Sequence, residues 1–333
     1  MLRLPQFKME YPTTVEDAVA LLAKHGDRAM FLAGGTDLLP NMKHGLFEPE
    51  VVIGLGAIED MKGIRKDKDG SLHIGAMTSL TEVARSQLIT EAAPALAQAA
   101  SVVAGPQIRN MGTLGGNVML DTRCQWYNQS HFWRKSLGYC LKKDGTVCHV
   151  IEGGKKCVAA ASNDTAPALM TLAAELHFLS PSGEVALPIE ELWKADGTWN
   201  KNVGPDALLV SVHLPALSGP HGGAYLKLRE RNAIDFPQLG IAARLGFAED
   251  GSIFEAAVAA TALGPRPILL QSTTKLLAGT TPGESNFEEA LLELCAKAHK
   301  QLSPLANIPG DETYRKRMVP IFLKRALLLA AQP

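Results

Sequence analysis

The chain has 333 residues, 46% of them hydrophobic and 20% charged, with a formal net charge of -1. That length exceeds what one core usually serves and points to two domains or three subdomains. The balanced charge excludes nucleic acid or an anionic membrane as the main partner, and no apolar run approaches the ~18 residues of a membrane span.

The N-terminus, Met1 to Lys8, has no apolar h-region, so no signal peptide is expected. Five cysteines without such a signal point to a reducing, cytoplasmic compartment, where clustered thiols serve metals more often than disulfides. Thr13-Thr14-Val15-Glu16 reads as a capping box for a helix with the apolar stripe Val15, Ala18, Val19 and Leu22, stopped at Gly26. A strand over Ala29 to Leu32 enters the glycine loop Ala33-Gly-Gly-Thr-Asp-Leu38, and Val51 to Leu55 reads as a second buried strand. Together they form a small α/β subdomain. Ile64 to Ala76 is expected to be a hairpin turning at Asp69-Gly70, and Ser79-Leu-Thr-Glu82 opens another capped helix. The alanine-rich stretch Glu91 to Val103 reads as helical and leads to a second glycine loop, Gly105 to Asn117.

Further on, Asn163-Asp-Thr-Ala-Pro167 can start a helix running through Leu176, followed by a hairpin over Glu175 to Ile189. Leu208 to Leu214 is a strand ended by Pro215, and Leu217 to Gly223 is the best candidate linker. Beyond it, strands are expected over Ala224 to Leu228, Gly240 to Phe247 and Phe254 to Ala260. Helices are expected near Ser272 to Leu277, Glu288 to Lys300 and Tyr314 to Leu329. The apolar tail Leu327 to Ala331 reads as a terminal helix packed on the body, and Cys295 as a small buried residue. The whole is α+β.

Glycine loops can aim successive N–H groups at phosphate oxygens, and glycine serves there through positive φ and close backbone approach. Two such loops in one chain suit a diphosphate. Neither fits Gly-x-Gly-x-x-Gly or a P-loop, which disfavours a nicotinamide Rossmann site and a nucleotide triphosphatase. Ala33-Gly-Gly-Thr-Asp-Leu38 and Gln107-Ile-Arg-Asn-Met-Gly-Thr-Leu-Gly-Gly-Asn117 resemble the two FAD loops of flavoprotein subunits in the xanthine oxidase family. The resemblance spans the whole chain. It implies a two-subdomain FAD-binding domain of the vanillyl-alcohol-oxidase (PCMH) type over residues 1–216, with subdomains of about 1–56 and 57–216. A C-terminal α+β domain like that of carbon monoxide dehydrogenase flavoproteins follows over 222–330. It further implies dissociable FAD held by Phe31, Leu32, Ala33, Gly34, Gly35, Thr36, Asp37 and Leu38, by Gly112, Thr113, Leu114, Gly115, Gly116 and Asn117, and by Gln125, Asp164 and Lys227. Asp235-Phe236-Pro237 is similar to a family signature to which no role is assigned here.

Between the second loop and Asp164 lies an insertion, 118–162, holding Cys124-x15-Cys140-x7-Cys148-x8-Cys157. Four thiolates can ligate a [4Fe–4S] cluster, ligate zinc or form two disulfides. Zinc sites draw on closely spaced cysteine pairs, absent here, and disulfides do not suit a reducing compartment. Within the xanthine oxidase family this insertion resembles the 4-hydroxybenzoyl-CoA reductase branch, in which it carries a [4Fe–4S] cluster. The resemblance thus implies all four cysteines as ligands, and His131 and His149 are given no ligand role. It implies electrons passing from ferredoxin through the cluster and FAD to a small [2Fe–2S] subunit and a large molybdopterin subunit, in a dimer of heterotrimers. The implied outcome is reductive dehydroxylation to benzoyl-CoA in anaerobic aromatic degradation.

No residue of this chain is expected to be catalytic. From Asp121 to Cys157 seven basic residues face three acidic ones, and Lys142, Lys143, Lys155 and Lys156 are candidates for docking an acidic ferredoxin. Two alternatives stand: the FAD subunit of a molybdenum hydroxylase acting on another aromatic or heterocycle, and a stand-alone flavin oxidase with a structural zinc loop.

Overall fold

The computed structural model describes residues 2–332. In the first subdomain Thr14 accepts a hydrogen bond from the Asp17 amide at 3.1 Å, so the helix Val15–His25 is capped one residue later than the Thr13–Glu16 box implied. Its stripe of Val15, Ala18, Val19 and Leu22 is buried, and Gly26 ends it at φ 56°. The strands β1 (Lys8–Glu10), β2 (Ala29–Leu32) and β3 (Val51–Gly54) form a parallel sheet in the order β1-β3-β2. Every residue of β3 is buried, as its uninterrupted apolar run requires.

The second subdomain is an antiparallel sheet of β4 (Ile64–Lys66), β5 (Leu72–Gly75), β6 (Glu175–Ser180), β7 (Gly183–Pro188) and β8 (Leu208–Leu214), ordered β4-β5-β8-β6-β7. Both expected hairpins are present, and Ser79 with Glu82 forms a complete capping box on the helix Leu80–Arg85. The alanine-rich stretch is two helices, Gln87–Ala92 and Pro94–Ser101. Pro94 has no N–H to continue the first helix and is preorganised to start the second. The helix expected through Leu176 is Thr165–Thr171 only. Ala173, at φ 50°, turns the chain, and Leu176 lies in β6.

The third sheet, antiparallel and ordered β12-β11-β10-β9, comprises β9 (His221–Leu228), β10 (Leu239–Phe247), β11 (Ile253–Thr261) and β12 (Ile268–Leu269). Helices Pro94–Ser101 and Thr165–Thr171 pack on one face; on the other, Glu312–Ala330 packs directly, with Ser285–Gln301 against it. Alternate residues of β10 accordingly enter different cores, Ala242 with the two N-terminal subdomains and Ile241, Ala243 and Leu245 with the C-terminal helices. The expected linker is shorter than its glycines suggested, because His221 to Gly223 belong to β9. A Cβ on Gly222 would stand 2.0 Å from the Ala330 carbonyl oxygen, so glycine there admits a helix rather than flexibility. Leu327 and Ala330 are fully buried and Cys295 lies in the same core, as expected. Among the described residues no helix is long and apolar enough to cross a membrane.

Candidate functional site

A cavity of about 770 Å³ opens where the two glycine loops meet, within the ~300–1,000 Å³ usual for small-molecule sites. Its walls include Phe31, Ala33, Gly34, Gly35, Thr36, Asp37, Leu38, Gly112, Thr113, Gly115, Gly116, Asn117 and Asp164. Leu32, Leu114, Gln125 and Lys227 do not line it. Leu32 packs under Gly35, Leu114 is wholly buried in the core, and Gln125 turns its amide to the Ala306 carbonyl at 2.9 Å. Lys227 stands behind Asp164.

The glycines act mainly through close approach. A Cβ on Gly34 would sit 1.8 Å from the Met111 carbonyl oxygen, and one on Gly115 would sit 2.7 Å from the Ala76 Cβ. Positive φ is used in the first loop, at Gly35 (φ 71°), but at no glycine of the Gly112–Gly116 loop. The second loop is fixed to its neighbours by the Gly115 amide on the Ala76 carbonyl (2.8 Å) and the Leu114 amide on the Thr78 carbonyl (2.9 Å). Asn117 Oδ1 accepts from the Thr165 amide at 3.0 Å and its hydroxyl at 2.6 Å. Loop and Asp164 thus stay together although the cysteine insertion separates them in sequence.

Asp164 is almost completely buried. Its carboxylate accepts from the Tyr225 hydroxyl at 2.7 Å and from Lys227 Nζ at 3.0 Å, and Lys227 also donates to the Val102 carbonyl at 3.2 Å. Burial raises the Asp164 pKa against the pull of Lys227, and burial lowers that of Lys227. Tyr225 was not singled out from the sequence. The signal was the Tyr-x-Lys spacing, which puts both side chains on one face of a strand.

Across the cavity, Asp37 pairs with Arg123 at 3.0 Å, and the guanidinium lies 3.9 Å over the Phe236 ring. Phe236 and Asp235 also line the cavity, which places the signature left without a role at its mouth. Arg123 and Ala160 exchange backbone hydrogen bonds of 2.8 and 2.7 Å and close the neck of the insertion.

Within the insertion, Cys124, Cys140, Cys148 and Cys157 are free and line one void of about 20 Å³. Burial pushes the Cys124 thiol up to about 12, and it raises Cys157 against the opposing charge of Lys142. Among the described residues no three His, Cys, Asp or Glu groups gather as ligands of a single ion. Two of the insertion's basic side chains are not solvated. Arg134, 2% exposed, donates to the Gly45 carbonyl at 2.8 Å, and Lys142, 3% exposed, pairs with Asp121 at 2.9 Å. Lys142 therefore cannot serve in a surface dock, which corrects the set expected from the sequence.

Residues 5–217 match the FAD binding domain in molybdopterin dehydrogenase, and 224–330 match the CO dehydrogenase flavoprotein C-terminal domain. The chain belongs to this molybdopterin dehydrogenase FAD-binding family. It is similar to the carbon monoxide dehydrogenase medium chain of Hydrogenophaga pseudoflava, 28% identical over 325 residues that cover 97% of this chain and 96% of the relative. It is also similar to the xanthine dehydrogenase FAD-binding subunit of Escherichia coli O157:H7, 27% identical over 315 residues, 94% and 92% of the two chains. A chain in the crystal structure of the cyanide-inactivated Cu,Mo-CO dehydrogenase superposes with TM-score 0.80 at 26% identity, covering 99% of both. The expected FAD-binding domain joined to a CO dehydrogenase flavoprotein C-terminal domain is therefore present, and the chain is an FAD-binding oxidoreductase subunit of the family.

Proposed function

We propose that this chain relays electrons within a molybdenum enzyme complex, with FAD in the large cavity and a [4Fe–4S] cluster on Cys124, Cys140, Cys148 and Cys157. The observation that carries it is the convergence of all four thiols on one void, next to the glycine-loop cavity. A single zinc would need its thiolates ~2.3 Å from one point, and no such group of ligands is gathered. What favours a cluster over zinc is the cysteine spacing, which lacks the closely spaced pairs of zinc sites. The void has room for about one water, so a cluster requires the four short side chains to turn outward.

When bound, FAD supplies a ring that exchanges one or two electrons, and the cluster supplies single electrons. The chain's own part is positional. Gly34 and Gly115 let the two loops close on the diphosphate and ribityl region. Asp164, its two oxygens held by Tyr225 and Lys227, presents a fixed carboxyl group at the wall.

The specific reading is reductive dehydroxylation of 4-hydroxybenzoyl-CoA, with ferredoxin as donor and partner [2Fe–2S] and molybdopterin subunits as acceptors. The cysteine insertion supports it. A second reading, a molybdenum hydroxylase acting on another aromatic or heterocycle, has the stronger support of the relatives, which are named for carbon monoxide and xanthine. Anaerobic purification with any co-purifying subunits, followed by iron, sulfide, molybdenum and flavin analysis, tests the cofactor assignment. Iron and sulfide with FAD are expected; zinc without sulfide overturns the cluster. Turnover of 4-hydroxybenzoyl-CoA with reduced ferredoxin then separates the two substrate readings.

For the donor, exposed Lys135, Lys155 and Lys156 accompany exposed Phe132, Leu137, Val147 and Ile151. This mixture suits an acidic redox protein. Changing those three lysines to Glu should slow reduction by ferredoxin about tenfold at low salt, on the ~1.4 kcal/mol-per-decade scale. Reduction by a small neutral reagent should be unchanged, and equal slowing of both would remove the dock.

A further inference from the structure

Tyr127 and Lys142 each line both cavities, the glycine-loop cavity and the cysteine void. Any electron exchanged between groups in the two cavities crosses the wall to which these side chains belong. The wall is charged. Arg123 and Lys142 lie in it with the carboxylates of Asp37 and Asp121, each of which is paired: Asp37 with Arg123 and Asp121 with Lys142.

Of these two cations, Lys142 is the one that also lines the cysteine void. Its Nζ donates to Asp121 at 2.9 Å, to the Thr122 hydroxyl at 2.7 Å and to the Gly197 carbonyl at 2.6 Å, and it lies 4.8 Å from the Tyr127 ring centroid. Gly197 in turn donates its amide to the Cys157 carbonyl at 2.8 Å, and a Cβ there would stand 3.0 Å from Cys157 Sγ. A cation held in so dry a place is weakly screened. Its field favours the redox state that carries more negative charge, which is the reduced one, and the potential of an iron–sulfur centre follows the net charge around it.

Resting on the iron–sulfur reading above, we propose that Lys142 is a positioning residue that raises the midpoint potential of the centre held by the four cysteines. The Asp121 carboxylate partly offsets it, so the pair sets the potential between two limits. A purely structural Lys142 would hold the Gly197 loop and leave the potential alone.

The test is an EPR-monitored redox titration of the anaerobically purified complex. Lys142→Met should shift the cluster midpoint to lower potential with iron, sulfide and FAD contents unchanged, while Lys24→Met, an exposed side chain that lines neither cavity, leaves it in place. Asp121→Asn should shift it the opposite way, and this variant decides the matter if Lys142→Met loses iron. Wild-type midpoints in both Lys142→Met and Asp121→Asn, or in Asp121→Asn alone when Lys142→Met holds no iron, overturn the proposal. So do shifts of the same sign in the two. Wild-type protein without iron and sulfide overturns the cluster reading itself, an outcome distinct from an unshifted potential.

Discussion

The glycine loops and the cysteine insertion share a wall, yet they are held in place by different means. The loops are held by backbone against backbone: Gly34 against Met111, Gly115 against Ala76, and the Leu80 amide on the Gly112 carbonyl at 2.9 Å. The insertion has one short helix, His131–Ser136, and beside backbone bonds such as Gln125 to Asn307 and Gly197 to Cys157 it relies on side chains that reach out of it to distant carbonyls. Arg134 reaches the Gly45 carbonyl, Lys142 that of Gly197 and Gln125 that of Ala306. Backbone contacts of this kind tolerate almost any side chain except at the glycines. Side-chain anchors fail one at a time.

The largest effect that would break the contrast lies in the loops. Gly34→Ala puts a methyl group where the Met111 carbonyl oxygen stands, and flavin affinity should fall by about 100-fold or more, roughly 2.7 kcal/mol. Flavin fluorescence titration measures it. Gly56→Ala, where a Cβ would face open space, should bind as wild type, and equal losses in both would show that the Gly34 contact is not what holds the loop.

Next comes the anchor. Arg134→Met leaves the Gly45 carbonyl without its donor and removes a buried cation, which should destabilise the insertion by about 3 kcal/mol. The loss should be local. Limited proteolysis should cut within 118–162 much faster while FAD remains bound, and parallel release of flavin would mean that the two regions are one cooperative unit.

The smallest effect concerns the sheet behind the loops. On it His73, His177 and His213 lie together, with His73 Nδ1 2.6 Å from His213 Nε2. Burial, and then the nearby Arg65, lower the His73 pKa to about 4, and burial lowers that of His213. Because the unfolded chain takes up protons on these groups first, their contribution is complete above the ordinary histidine value of ~6.5 and is lost as pH falls from there toward 4. His73→Gln should therefore flatten the decline in melting temperature between pH 7 and pH 5. The effect is under about 1 kcal/mol for so exposed a group. A decline as steep as in wild type would place the acid sensitivity elsewhere, in the insertion among other sites.

Much of the fold was legible where punctuation is chemical. Pro215 ends β8 at Leu214, Gly26 stops the first helix, and Ser79 with Glu82 starts another. Legibility failed where the turn had no glycine to mark it, as at Ala173, and where a proline restarted a helix rather than ending one, as at Pro94. Of the cavity, the glycine motifs located the walls, but the close approaches that require glycine lie far apart in sequence. Lys142 and Arg134 stand in a basic run that composition alone would leave in solvent. What buries them are acceptors 55 and 89 residues away. Tyr225, and the bonds that tie Asn117 to Thr165, were obscured for the same reason, since Asp164 lies 61 residues from Tyr225 and Thr165 lies 48 from Asn117.

The contact of Tyr225 and Lys227 with Asp164 has a consequence for the life of the chain before it ever carries an electron. A ribosome that has released both glycine loops and all four insertion cysteines has still not made the strand that holds Asp164 in place. The neighbouring Ile234 and Phe236 rim is likewise still to come. Until β9 and the segment after it emerge and dock, the pocket lacks one side and the carboxyl group at its wall lacks both partners. Flavin capture is thus a late step of biogenesis, and a nascent chain stalled before residue 225 should retain FAD poorly.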